Sequence, residues 1–311
     1  MDLNTPLEIK IDETEDFKIF EKEIDYLIGF FRSFSELILL NGRTISFIFE
    51  NNYFTLDRTL IDSSGQTLQS IKLCSSIGSF SDANTLIRKL RDDLFQYLYI
   101  LNVINLHNPF VEEDLQSLKI DNPENFAESF MNLRFNNYYK DDEKAVAAWF
   151  NNSVSDLPKQ LKKKLEFENY MTILKNNTNI SKILIDYQLE KYWDTLRRRL
   201  NDYVHNNGEK FSTQNYIKAN DKYLVTHLNN INVRTSYVST FFIIALLMID
   251  SSLFSSTDYI DYLECGMKPP ECSQYLIAPF LQEFIDMKIV KLHPELKQYI
   301  RDNNIHGMKI E

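Results

Sequence analysis

Apolar residues recur every three or four positions over long stretches of this chain, and that spacing sets the expected architecture. From Phe17 to Leu40, the residues Phe20, Ile24, Leu27, Ile28, Phe31, Phe34, Leu37 and Ile38 fall on one face, which predicts an amphipathic helix ending near Asn41-Gly42. Between Ala83 and Leu106 a second stripe, Leu86, Leu90, Leu94, Leu98, Leu101 and Ile104, is long enough for about six turns. Ser81-Asp82, just before it, can accept hydrogen bonds from the first free amides of such a helix. A third stretch, Ile180 to Tyr203, carries Ile183, Leu184, Tyr187, Tyr192, Leu196, Leu200 and Tyr203; it is expected as one helix over about 180–205, stopped by Gly208. The fourth, over about 221–253, contains the most apolar run, Phe241 to Ile249. That run is well short of the roughly 18 to 20 residues a membrane-spanning helix needs, so it is read as a buried core helix.

Other patterns lie between these helices. Ile45, Phe47 and Phe49 alternate with polar positions, Phe54 and Leu56 follow, and Asn51-Asn52 separates the two sets, which predicts a small β-hairpin near residues 43–57. Helical periodicity over Gln66 to Ile77 breaks at Gly78. Asn108 to Ser155 is rich in Asn, Asp and Glu, with Pro109 and Pro123 as breaks. A peripheral helical insert is expected over about 108–176, with short helices at Glu124 to Leu133 and Asp141 to Phe150. Shorter helices are predicted over about 273–303. The expectation is an all-α helical bundle, one domain over residues 1–311, with core helices at about 17–40, 83–106, 180–205 and 221–253. Seven glycines and eight prolines in 311 residues fit helices better than many short strands joined by tight turns.

Charge and chemistry narrow the function. A formal net charge of −10 repels polyanions at long range, which disfavours a general nucleic-acid coating protein and leaves room for a local basic site. The start, MDLNTPLEIKIDETEDF, has neither the basic nor the apolar region of a secretory signal, so a cytoplasmic location away from membranes is expected. Cys74, Cys265 and Cys272 lack the partners of a zinc site and read as reduced structural thiols. Glycine-rich phosphate loops, HExxH, GxSxG and EF-hand patterns do not occur, and no metal or cofactor is expected. Lys159 to Lys164 reads as a solvated surface, and His107, His227, His293 and His306 as surface or packing residues.

The most informative stretch is Arg197 to Gly208, late in the third predicted helix. On a helix Arg198 and His205 lie about 20° apart, with Asn201 and Asp202 between them on roughly the same face. Such a group suits RNA cleavage: the imidazole exchanges a proton with the 2′-hydroxyl or the leaving oxygen while an arginine stabilises phosphate charge. The alternative is helix-end electrostatics in a non-catalytic interaction or dimerisation protein, since Arg and His near a C-terminus complement the macrodipole. A small-molecule-binding regulator is a third reading, because aromatic-rich bundles hold pockets.

An Arg followed after four to six residues by His, late in a long helix, is similar to the motif of the HEPN superfamily, and Arg199 and His205 match it with five residues between. The segment Phe80 to Asp93 resembles the polar-faced partner helix of some large bacterial members. In this chain Leu200 stands directly after the Arg, where members often have a polar residue. The resemblance covers two helices, roughly a quarter of the chain. It implies an all-α bundle, often dimeric, with metal-independent endoribonuclease activity in many toxin, antiviral and RNA-processing members and no catalysis in others; for this chain the expectation is a protein that cleaves or binds RNA in a bacterial stress or antiviral context. By the same resemblance His205 is the acid/base group, Arg199 or Arg198 stabilises the phosphate, Asn201 and Asp202 orient the imidazole, and Arg88 and Asp92 contribute from the partner helix. RNA is then the expected partner, alongside a second copy of the chain or an unidentified protein.

Overall fold

The computed structural model describes residues 10–40, 45–50, 52–118, 122–136 and 138–311. Among them, ten helices of nine or more residues carry the fold: α1 (Glu15–Leu40), α2 (Thr59–Ser76), α3 (Phe80–Asn105), α4 (Pro123–Met131), α5 (Asp141–Phe150), α6 (Phe167–Lys175), α7 (Thr178–Asp186), α8 (Leu189–Val204), α9 (Leu224–Asp250) and α10 (Glu295–Asn303). One antiparallel hairpin, β1 (Ile45–Phe49) and β2 (Asn52–Leu56), pairs Ile45 with Leu56 and Phe47 with Phe54. The protein is all-α with a small hairpin where alternation predicts one. The predicted helix end at Asn41-Gly42, the hairpin ends at Arg43 and Thr44 and the turn at Asn51 lie outside the described residues, as do residues 1–9.

The third predicted helix is in fact two, α7 and α8, parted at Gln188, whose backbone is left-handed at φ 55°. The cause is a slip in hydrophobic phase. Ile180, Ile183, Leu184 and Tyr187 define a stripe whose continuation at spacings of three and four falls on Lys191, Asp194 and Arg198. The buried side chains of α8 are instead Leu189, Trp193, Leu196, Leu200 and Tyr203. An unbroken helix would bury those charges. The break resets the rotation.

The chain, expected as one domain, divides into two compact units, Met1–Arg43 with Arg58–Leu98 and Leu174–Glu311, and Thr44–Asp57 with Tyr99–Ile173. In the first, α9 is the central element. Every residue from Tyr237 to Ile249 is buried, and such all-round burial marks a core helix. With the residues that follow it to Phe254, this helix is long and apolar enough to cross a bilayer, yet 94% of its most apolar window is buried inside the protein. Around it Phe31 meets Phe242 at 6.1 Å, Phe34 stacks on Phe254 at 4.5 Å, and Phe95 meets both Trp193 (4.8 Å) and Phe241 (5.7 Å).

The start of α3 is capped from a distance. The side-chain oxygen of Asn215 accepts from the amides of Ser81 (2.9 Å) and Asp82 (3.2 Å), and the Gln214 carbonyl accepts from that of Phe80 (3.0 Å). Ser81 and Asp82, expected as caps, are therefore the residues capped, because α3 begins before them.

In the second unit the hairpin, the end of α3 and α4–α6 make a smaller core. Phe54 stacks on Phe150 at 5.1 Å. Asp142, in the first turn of α5, accepts from Tyr99 (2.7 Å), Lys164 (3.0 Å) and Asn169 (3.3 Å). Burial opposes its ionisation, but these donors more than offset that and hold its carboxyl below the ordinary range. The neighbouring Glu143 bonds the Nδ1 of buried His107 at 2.9 Å and accepts from the Lys140 amide, so His107 is a packing histidine.

Candidate functional site

The amphipathic helix α8 lies along α9 on large side chains. Near its start Tyr192 meets Tyr237 at 4.2 Å and Trp193 meets Phe241 at 5.1 Å. Near its end Tyr203 meets Phe211 at 4.9 Å and lies under the Arg234 guanidinium at 5.5 Å. A groove of about 660 Å³ is lined by Tyr192, Thr195, Leu196, Arg198, Arg199, Asn201 and Asp202 of α8 and by Asn230, Val233 and Arg234 of α9. The spacing explains the set: 192, 195, 196 and 199 share one face of α8, and 230, 233 and 234 one face of α9.

The groove gathers positive charge within an acidic chain. Arg198, Arg199 and Arg234 each lack an ion-pair partner among the described residues. They are held by weaker contacts. The Arg198 Nε donates to the Asp194 carbonyl at 3.4 Å, and Arg199 lies over the rings of Tyr203 (6.0 Å) and Phe211 (5.7 Å). Arg234 donates to the Asn84 side chain of α3. Contacts to rings and amides position a guanidinium without neutralising it. The one carboxylate in the lining, Asp202, accepts from the Asn207 amide at 3.1 Å. Three guanidiniums and two amides against one carboxylate suit phosphate oxygens. Burial pushes the Tyr192 hydroxyl upward, against the opposing effect of Arg234, so it stays a protonated donor at neutral pH.

His205 is the residue that caps α8. Its amide donates to the Asn201 carbonyl at 3.0 Å, its side chain is exposed, and among the described residues nothing hydrogen-bonds its ring. Beyond it, Asn206 adopts φ 48°, and the amides of Asn207 and Asn206 donate to the carbonyls of Asp202 (3.0 Å) and Tyr203 (3.2 Å). These two bonds form a Schellman ending with Asn in the left-handed position. The terminator is therefore Asn206, whereas Gly208, expected in that role, precedes the next short helix, Glu209–Thr213.

Of the residues singled out in the sequence, Arg198, Arg199, Asn201 and Asp202 line the groove. His205 lies one turn past Asp202, outside the lining. Arg88 and Asp92 are partnered with each other along α3, at 3.6 Å, and Asp92 also accepts from Arg91 at 2.8 and 2.6 Å; neither lines the groove. The connection from α3 is made by Asn84 instead. Sequence reasoning overlooks Arg234, Asn230 and Tyr192. Asn230 and Arg234 sit four apart before the apolar run of α9, a polar pair on a helix otherwise read as core, and Tyr192 passes for one more core aromatic.

The thiols of Cys265 and Cys272 are free and exposed, not packed into a core, and Cys74 is free and partly buried. Among the described residues no three His, Cys, Asp or Glu side chains gather as a metal site. Compared with protein-family models, curated proteins and solved structures, the chain shows no match.

Proposed function

We propose that the protein binds RNA along the α8–α9 groove and cleaves it in the manner of HEPN-superfamily endoribonucleases. The observation that carries this reading is the set of three guanidiniums around one groove that have no carboxylate partner among the described residues, in a chain of net charge −10. An acidic chain with 44 Asp and Glu residues has carboxylates in abundance, and three arginines in one place without an ion pair among the described residues suit a ligand that brings its own negative charge.

In this reading Arg198, Arg199 and Arg234 grip the backbone phosphates, and Asn201 donates to phosphate or sugar oxygens. His205 stands about 10 Å along the helix axis from Arg198, so it serves the phosphate next to those the arginines hold. Its imidazole takes the proton from a 2′-hydroxyl, that oxygen attacks the adjacent phosphorus, and the bond to the 5′-oxygen breaks, the leaving oxygen taking a proton from water while the imidazolium releases its own to solvent. The products are a 2′,3′-cyclic phosphate and a 5′-hydroxyl.

End-labelled structured and unstructured RNAs incubated with a chelator, with wild type and with His205→Ala, test the reading. The expected result is cleavage by wild type alone, with a loss of about 100-fold or more in the variant. Two folded, equally inactive proteins that still bind RNA would reduce the function to binding. A second reading rests on the volume of the groove, which lies in the range of small-ligand sites: a free nucleotide as an effector, detected by a thermal shift with nucleotides and no RNA turnover.

A further inference from the structure

The arginines account for part of the groove only. At the start of α8 it is lined by Tyr192, Thr195 and Leu196, α9 adds Val233 beside Arg234, and phosphate has no use for the apolar surface of these side chains. Tyr192 is 38% exposed and Val233 54% exposed, although both present apolar surface beside a well-filled core. We infer that this part is a nucleobase subsite in which an unpaired base stacks on the Tyr192 ring while its flanking phosphates lie on Arg198 and Arg199, so that the groove takes single-stranded RNA and rejects duplex. The inference rests on the RNA reading above and specifies its substrate.

Three features support it. First, the shelf is rigid: Tyr192 leans on Tyr237 at 4.2 Å, and buried Tyr237 is itself fixed by a hydrogen bond from its hydroxyl to the Leu189 carbonyl at 2.9 Å. An aromatic held before the ligand arrives loses little entropy on stacking. Second, Tyr192 and Arg199 are seven residues apart, hence on the same face of α8 and about 10 Å apart along its axis; shelf and cations therefore address one continuous strand. Third, the chemistry discriminates. A duplex stacks its base faces on one another and offers a protein mainly phosphates and groove edges, whereas an unpaired base presents a free π-face.

The test uses the full chain with a chelator and 2′-O-methylated RNA, which lacks the attacking hydroxyl and stays intact. Fluorescence anisotropy compares an unstructured strand, the same strand with abasic sites, its duplex, and a free nucleoside monophosphate. The intact strand should bind most tightly, and removing the bases should weaken wild-type binding by about 5- to 150-fold, the range for one stacked base. Tyr192→Leu should lower affinity for the intact strand by a similar factor and leave the abasic strand unaffected, while Arg198→Ala should weaken both strands alike. Equal binding of intact and abasic strands by wild type, or duplex binding as tight as single strand, overturns the subsite while leaving RNA binding in place. Failure of every strand to bind overturns the RNA reading and the subsite together, unless the monophosphate alone binds in a Tyr192-dependent way. That outcome keeps the base shelf and makes a free nucleotide its occupant.

Discussion

Arg198, Arg199 and Arg234 show what a residue's surroundings add to its identity. The first two stand in a run of three arginines beside Asn201 and Asp202, so their chemistry is legible in the sequence. Arg234 sits in a helix dominated by core residues, and only the packing of α8 on α9 brings its guanidinium to the same groove. Arg88 and Asp92 illustrate the converse. Their spacing of four is equally that of an ordinary pair along one helix, and the structure places them so. A different residue-scale constraint holds at Gly78, which adopts φ +78° and whose absent Cβ would lie 2.0 Å from the Ile217 carbonyl oxygen. Gly78→Ala should therefore cost at least about 2 kcal/mol in chemical denaturation, from left-handed strain together with the clash. Removing Phe34, fully buried against Phe254 and Phe242, should cost about 3 to 5 kcal/mol as Phe34→Ala.

Among the elements, long periodic stripes predict α1 and α3 well because each keeps one hydrophobic phase from end to end, while α9 is betrayed by its continuous apolar run, Phe241 to Ile249. The stretch 180–203 fails as a single helix because its apolar positions belong to two phases, and a count of apolar residues cannot register the slip. Gln188, left-handed at the break, makes the slip testable: Gln188→Gly removes a strain of about 1 to 2 kcal/mol against an entropy cost of about 0.5 to 1 kcal/mol. The melting temperature should rise; a fall would mean that the glutamine side chain contributes to the break. The capping of α3 by Asn215 was not legible, since a cap from more than a hundred residues away leaves no local signature. Asn215→Ala should destabilise the first unit by about 1 kcal/mol, with faster amide exchange at the start of α3. In the second unit, Asp142→Ala leaves Tyr99 and Lys164 without their acceptor and should cost about 2 kcal/mol.

Across the whole molecule, pH and salt act in separable ways. Burial depresses the His227 pKa, with Arg234 adding to that effect and Asp221 opposing it. The unfolded chain therefore takes up this proton first, and stability is greatest above the ordinary imidazole value of about 6.5 and declines as pH falls through it toward the folded value. Melts between pH 7 and 5 should show that decline, and His227→Gln should flatten it. At lower pH the carboxylates take over. Hydrogen bonding from Lys288 lowers the Glu23 pKa, and Asp142 is lowered as described, so their contributions are present above the ordinary carboxylate range and lost as pH falls through their folded values. Salt, by contrast, addresses the groove. The chain as a whole repels RNA, so only local guanidinium contacts can release counterions, and each phosphate contact on a single strand contributes a slope of about −0.7 in log affinity against log salt. The most direct measurement is therefore the salt dependence of RNA binding by wild type and by Arg198→Ala and Arg234→Ala. A groove that holds phosphates predicts measurable binding at low salt and a slope shallower by about 0.7 in each variant. Absence of binding at low salt, or variants that keep the wild-type affinity and slope, would contradict it.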